Sequence, residues 1–308
     1  MVAVLDLLVG ALVYSNLLAL MAVGLSLALI TCRVSNFAHG DFAMVGVYAA
    51  YTLSVVAGLT PYAWIPAAFA FGGLVSLLAY LLVFEPLRER TDLVTLMVVS
   101  MALDMVLRYS LHVYADLMQQ WLRVYTRLFM FDDFLVEAAG SRLPGVLPAS
   151  TAVVAALLAS LYVLLYKTRV GVAMRAAIEN PGLAEALGVS VERVFALSWF
   201  LSGALAATAG VFLPFRIMVS PDTGWSMLLP TFAAVTVGGI GSLGGSVLGA
   251  YLIGFSETVL AYQLAQVGIS TAYRPLLTFA AIIATLLVYP RGLSGLWSGK
   301  GWSLRRRS

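Results

Sequence analysis

The chain has 308 residues, 61% of them hydrophobic and 11% charged, with a net charge of +3 and a mean hydropathy of +0.96. Soluble domains carry roughly 25% charged residues, so this composition excludes one and points to a polytopic helical membrane protein; a β-barrel is excluded too, because the apolar runs are continuous rather than alternating. The single cysteine, Cys32, leaves no internal disulfide and no cysteine-based metal site, and the small positive charge at membrane edges does not read as nucleic-acid binding.

Apolar length predicts an all-α bundle of eight to nine spans, at roughly 5–31, 37–59, 61–84, 92–114, 149–166, 194–213, 226–240, 244–264 and 271–289. The N-terminus lacks a basic region and its apolar run is too long for a signal sequence, so no cleaved leader is expected. Ser35-Asn36-Phe37-Ala38-His39-Gly40-Asp41 separates the first two spans. It sets an imidazole and a carboxylate at bilayer depth, where such groups are costly and usually line a cavity, a pathway or a helix interface. Asn36 and His39-Gly40-Asp41 suggest a helix end or a broken helix, tolerated only where protein or water surrounds the backbone; a short cytoplasmic turn is the alternative.

Pro61 and Pro66 open the third span. In the fourth, Asp104 and Arg108 share a helix face and are expected to pair. Residues 115–148 read as the main external loop, with Trp121, Tyr125, Phe129, Phe131 and Phe134 suited to the membrane interface or to a docking surface. Residues 168–193 read as the main cytoplasmic loop. Within it Asn180 caps a short helix opened by Pro181, and Gly188 suits its left-handed end. So short a helix is unstable alone in water and needs a partner surface or its own chain to pack on. The segment 226–240 is short, and either spans or is re-entrant as a hairpin with 244–264.

The cluster Gly238, Gly239, Gly241, Gly244, Gly245 and Gly249 follows. Gly241, Gly245 and Gly249 make two small-xxx-small steps, which let helix backbones approach closely; no Gly-Lys-Ser/Thr follows, so a phosphate loop is not indicated. Glu257, between Ser256 and Thr258, has no partner in sequence and is expected to face the bundle interior. Basic residues set the orientation. Arg33, Arg88, Arg90, Lys167, Arg169, Arg175, Arg193, Arg291, Lys300, Arg305, Arg306 and Arg307 place their loops and the C-terminus in the cytoplasm. Arg123, Arg127 and Arg142 run the other way.

No Walker A sequence, His-Glu-x-x-His or Gly-x-Ser-x-Gly is present, and His39 and His112 are the two histidines. A hydrolase or metalloenzyme has little to work with. Taken alone, His39, Asp41 and Glu257 fit a proton-coupled secondary transporter.

Ser35 to Asp41, followed by Met44, Gly46 and Tyr48, resembles the N-terminal signature of branched-chain amino acid ABC transporter permeases of the LivH type. The stretch from Arg175 to Gly188 resembles their cytoplasmic coupling segment, that from Val237 through Gly249 to Glu257 their late glycine-rich span, and Tyr289-Pro290-Arg291-Gly292-Leu293 their C-terminal end. The resemblance implies a single permease domain over 1–308, not an enzyme, with no metal and no cofactor in this chain. It implies two cytoplasmic ATPase subunits that bind ATP and dock at Glu179, Asn180, Ala184, Glu185, Leu187 and Gly188. It also implies a homologous second permease, an extracytoplasmic substrate-binding protein and a place in the cytoplasmic (inner) membrane. The pathway or gate expected is Asn36, His39, Gly40, Asp41 and Glu257, and the substrate a branched-chain or related small amino acid. A urea or short-chain amide permease, or the proton-coupled transporter, is the alternative.

Overall fold

The structure, a computed structural model, describes residues 2–88, 90–138, 141–289 and 291–297. Pro290, Lys300 and Arg305 to Arg307, used above, lie outside the described residues. In chain order the helices are α1 (Val2–Cys32), α2 (His39–Ala57), α3 (Ile65–Ala79), α4 (Glu85–Arg88), α5 (Leu93–Leu122), α6 (Val146–Lys167), α7 (Arg169–Glu179), α8 (Pro181–Ala186), α9 (Val191–Phe212), α10 (Thr223–Gly238), α11 (Leu243–Gln266), α12 (Arg274–Val288) and α13 (Ser294–Trp297). A small antiparallel hairpin, β1 (Leu135–Ala138) and β2 (Ser141–Pro144), precedes α6.

Eight segments among the described residues are long and apolar enough to cross a membrane. The ninth apolar run is α10, whose 16 residues cover about 24 Å, short of a hydrocarbon layer of about 30 Å. It turns back through 239–242 and packs along α11 as a hairpin. Between α3 and α4 one turn is π-helical, Tyr80–Phe84. Pro86 explains the offset, since it has no N–H to give to the Leu82 carbonyl.

The centre of the bundle is α1 and α9, each 78% buried over its apolar window, against 17% for α5 and 6% for α12. Small residues let these elements meet. A methyl group at Gly46 of α2 would overlap the Ala207 main chain of α9, and one at Gly210 of α9 would overlap Ala43 of α2. Gly203 presses in the same way on Ser76 and Gly72 of α3.

The two segments expected as loops contain regular structure. The segment 115–148 is mostly regular: α5 runs on to Leu122, the hairpin follows, and among the described residues irregular chain is confined to 123–134 and the turn before α6. Polar side chains end an apolar run without ending a helix, because its backbone hydrogen bonds continue wherever water can take the side chains. Within this segment Phe129 and Phe131 fold inward, with Phe129 stacked on Tyr51 and bridged to Val219, while Trp121, Tyr125 and Phe134 stay exposed. Asp133 ties the segment down by accepting from Tyr62 Oη at 2.8 Å and from the Val146 N–H at 2.9 Å. Likewise 168–193 is two helices rather than a loop holding one: Thr168 accepts from the Gly171 N–H at 3.1 Å and starts α7.

Contacts distinguish the two ends of the bundle. Arg88 lies over Phe195 near the start of α9, Arg175 over Tyr166 near the end of α6, and Leu293 donates its N–H to the Val237 carbonyl. These mark a basic end. The Phe129–Val219 bridge and the β-hairpin lie at the opposite, hairpin end.

Candidate functional site

Helix α1 ends at Cys32, and residues 33–38 run without helix to α2. Arg33 takes a left-handed φ of 58° to leave α1. Asn36 Oδ1 accepts the Ala38 N–H at 3.0 Å, and Ser100 Oγ of α5 both accepts from the Phe37 N–H and donates to the Ser35 carbonyl. Backbone freed by the break is thus repaid by side chains, as burial in a membrane requires. The turn folds back into the bundle. His39 Nε2 donates to the Met21 carbonyl at 2.9 Å, eleven residues before Cys32, or about 16 Å along the axis. Nε2 carries the proton because a carbonyl only accepts, and Nδ1 is left to accept from Ser202 Oγ at 3.3 Å. Asn36, His39 and Asp41 are fully buried, so the short-turn alternative gives way to a broken helix that starts deep in the protein.

The same level holds the start of α10. Gly40 and Gly224 touch main chain to main chain, with no room for a Cβ on either. Beside them Arg108 of α5 is shared by two carboxylates: its Nη2 bonds Asp104 Oδ2, and its Nε lies 3.9 Å from Asp41 Oδ1. Neither oxygen of Asp41 accepts a hydrogen bond from a described residue. The guanidinium also lies over the Trp225 ring, at 4.8 Å. One α5 turn further, His112 Nε2 meets Asp222 Oδ1 at 3.2 Å. Side-chain exposure rises from 0% at Asp41 through 17% at Arg108 and 23% at His112 to 64% at Asp222, so polar and charged side chains step from the exposed segment before α10 down to the break in α2. Such a ladder can orient and pass a polar or zwitterionic solute. It holds no nucleophile with an adjacent base.

Sequence reasoning paired Asp104 with Arg108 but missed Asp41 as the second carboxylate, and missed His112, Asp222 and Trp225. One signal was available: Asp104, Arg108 and His112 recur every four residues and so share one face.

Glu257 stands elsewhere. It has no partner at helical spacing in the sequence, but across the bundle Arg274 Nη2 lies 3.2 Å from Oε2, Tyr14 Oη donates to the same oxygen at 2.9 Å, and Thr278 donates to Oε1. None of these belongs to the α2 cluster. The partner is 17 residues away across a turn, beyond any helical spacing.

At the basic end, Asn180 Oδ1 accepts the Leu183 N–H at 3.1 Å and Pro181 opens α8. The helix is closed by Gly188, at φ 86°, with Val189 N–H on the Ala184 carbonyl. Ala184 is buried at 2%, whereas Leu183 and Leu187 are 57% and 75% exposed, so α8 rests on its own chain through one small residue and presents two leucines outward. Glu179, Glu185 and Gly188 are exposed beside them.

The glycine cluster divides in two. Gly238, Gly245 and Gly249 are close-contact positions, Gly245 against Gly238 and Gly249 against Ala234. Gly239 and Gly241, at φ 109° and 103°, belong to the turn before α11, so the small-residue stripe does not begin at Gly241 as expected. Gly244 faces open space.

A family model described as the branched-chain amino acid transport system / permease component matches residues 7–286. The chain is 40% identical to a probable branched-chain amino acid transport permease protein LivH of Methanocaldococcus jannaschii, over 93% of this chain and 91% of that one. It is 29% identical to the high-affinity branched-chain amino acid transport system permease protein LivH of Escherichia coli (90% and 91% covered). It is 27% identical to BraD of Pseudomonas aeruginosa, a high-affinity permease protein of the same description (94% and 94% covered). A match of this extent, on a multi-pass helical bundle, establishes that the chain belongs to the branched-chain amino acid transport permease family.

Proposed function

We propose that the chain is the membrane permease subunit of an ATP-driven importer for branched-chain or related small amino acids in the cytoplasmic (inner) membrane. In this reading two cytoplasmic ATPase subunits bind the ATP and dock on α8 through Glu179, Asn180, Ala184, Glu185, Leu187 and Gly188. A second, homologous permease completes the passage, and an extracytoplasmic binding protein delivers the solute at the hairpin end. The observation that carries the reading is α8 itself: a capped helix of 6 residues at the basic end, too short to stand alone, with two leucines free of its own chain. Gly188→Pro is incompatible with a φ of 86°, and Glu185→Arg reverses charge on the docking face. Both variants are expected to assemble yet lose the coupling of ATP hydrolysis to uptake. Full ligand-stimulated hydrolysis and full uptake in both would remove the docking role.

Asn36, His39, Gly40 and Asp41 form the gate in this reading, a broken helix held shut by hydrogen bonds rather than a proton carrier. His39→Gln keeps part of the uptake, because an amide can still reach the Met21 carbonyl and Ser202; His39→Leu loses more. Uptake rates in vesicles decide this, and an equal loss in both variants would contradict it.

A further inference from the structure

A cavity of largely apolar lining lies apart from the α2 cluster, between α1, α10, α11 and α12. It is half-open, with a volume of about 410 Å³, inside the roughly 300–1,000 Å³ of small-molecule sites. One wall is charged. Glu257, 2% exposed, already has Arg274, Tyr14 and Thr278 on its two oxygens, so it needs no further cation. Arg216, an exposed residue, lines the same cavity against Gly10, and its guanidinium makes no hydrogen bond or ion pair with a described residue. Arg274 Nε is buried and also without a hydrogen-bond partner. Two guanidinium groups against one carboxylate leave a single positive charge over, and donors for a second carboxylate. The lining also includes the apolar side chains of Met227, Leu229 and Ala261. Within it Pro230, inside α10, has no N–H for the Ser226 carbonyl, which is left to accept from another donor. Arg216 sits three residues before Val219, at the hairpin end.

We propose that this cavity is a receiving site for an apolar, zwitterionic α-amino acid. The ligand carboxylate lies on Arg216 and on Arg274 Nε, its ammonium on the Ser226 carbonyl, and its side chain against Met227, Leu229 and Ala261. The inference rests on the import reading above and adds a site on the permease itself, after delivery and before the gate.

The test is equilibrium dialysis of radiolabelled leucine against the purified permease–ATPase complex in nanodiscs, without binding protein. Saturable binding is expected, competed by unlabelled leucine and not by leucinol, which lacks the carboxylate. Arg216→Gln should weaken it by about tenfold, the loss of one charge-assisted hydrogen bond, and Arg216→Lys should recover part. No saturable binding by the unaltered complex, or equal binding by Arg216→Gln, overturns the proposal. So does co-purifying phosphatidylglycerol that leucine fails to displace and Arg216→Gln loses, which makes the cavity a lipid phosphate site. ATP-driven, binding-protein-dependent leucine uptake is measured on the same preparation: uptake without this binding removes the receiving site alone, and absence of uptake removes the import reading.

Discussion

Arg108→Leu destabilises the folded chain by about 3–5 kcal/mol, the cost of removing one partner from a largely buried ion pair. The guanidinium is 17% exposed and its carboxylate partners Asp41 and Asp104 0% and 4%, so water does little to replace it. Deleting the cation strands two carboxylates beside the Gly40–Gly224 contact, and both helix starts lose their anchor. The loss should be non-additive. Adding Asp104→Asn to Arg108→Leu recovers part of the stability, because the amide no longer brings a charge that lacks its partner, and a coupling of about 0.5–3 kcal/mol is expected between contacting groups. Unfolding in detergent micelles, followed for the four members of this cycle, checks it. Arg108→Leu with the unfolding midpoint of the unaltered chain would show that the cluster is not held by its charges.

Gly245→Leu fails to assemble, whereas Gly244→Leu assembles. The two neighbours differ only in what a side chain meets. At Gly245 it meets the carbonyl of Gly238 on α10, main chain that cannot swing aside; at Gly244 it meets nothing within 4 Å. Overpacking of a rigid site costs about 1–3 kcal/mol or more, and in lipid this contact between α10 and α11 has only close packing to hold it. Size-exclusion profiles and the yield of intact complex separate the variants. A well-assembled Gly245→Leu complex with changed ligand preference would contradict a packing role and move the stripe to the passage.

What was legible in the sequence is what depends on near neighbours along the chain. Asn180, Pro181 and Gly188 bracket α8 through local caps, and Asp104 with Arg108 follows from helical spacing. Apolar length located the membrane-crossing helices. Contacts made across the bundle were not legible: Asp41 to Arg108, Glu257 to Arg274 and His39 to Met21 join residues whose separation in sequence carries no periodic signal. The depth of α2 was hidden for a related reason. A run of polar residues between two apolar ones reads the same whether the chain turns in water or folds back into protein, and only the Met21 and Ser100 contacts distinguish them. Helix α7 was missed because Thr168 was not read as a cap, and the tail of α5 because side-chain polarity was taken for a helix end.

Transport in sealed proteoliposomes addresses the proposed importer most directly. The chain is reconstituted with its permease, ATPase and binding-protein partners, and leucine uptake is followed under two drives: ATP without an ion gradient, and an imposed proton gradient without ATP. The account predicts uptake with ATP that requires the binding protein and is unchanged when a protonophore is added. Uptake sustained by the proton gradient alone would contradict it.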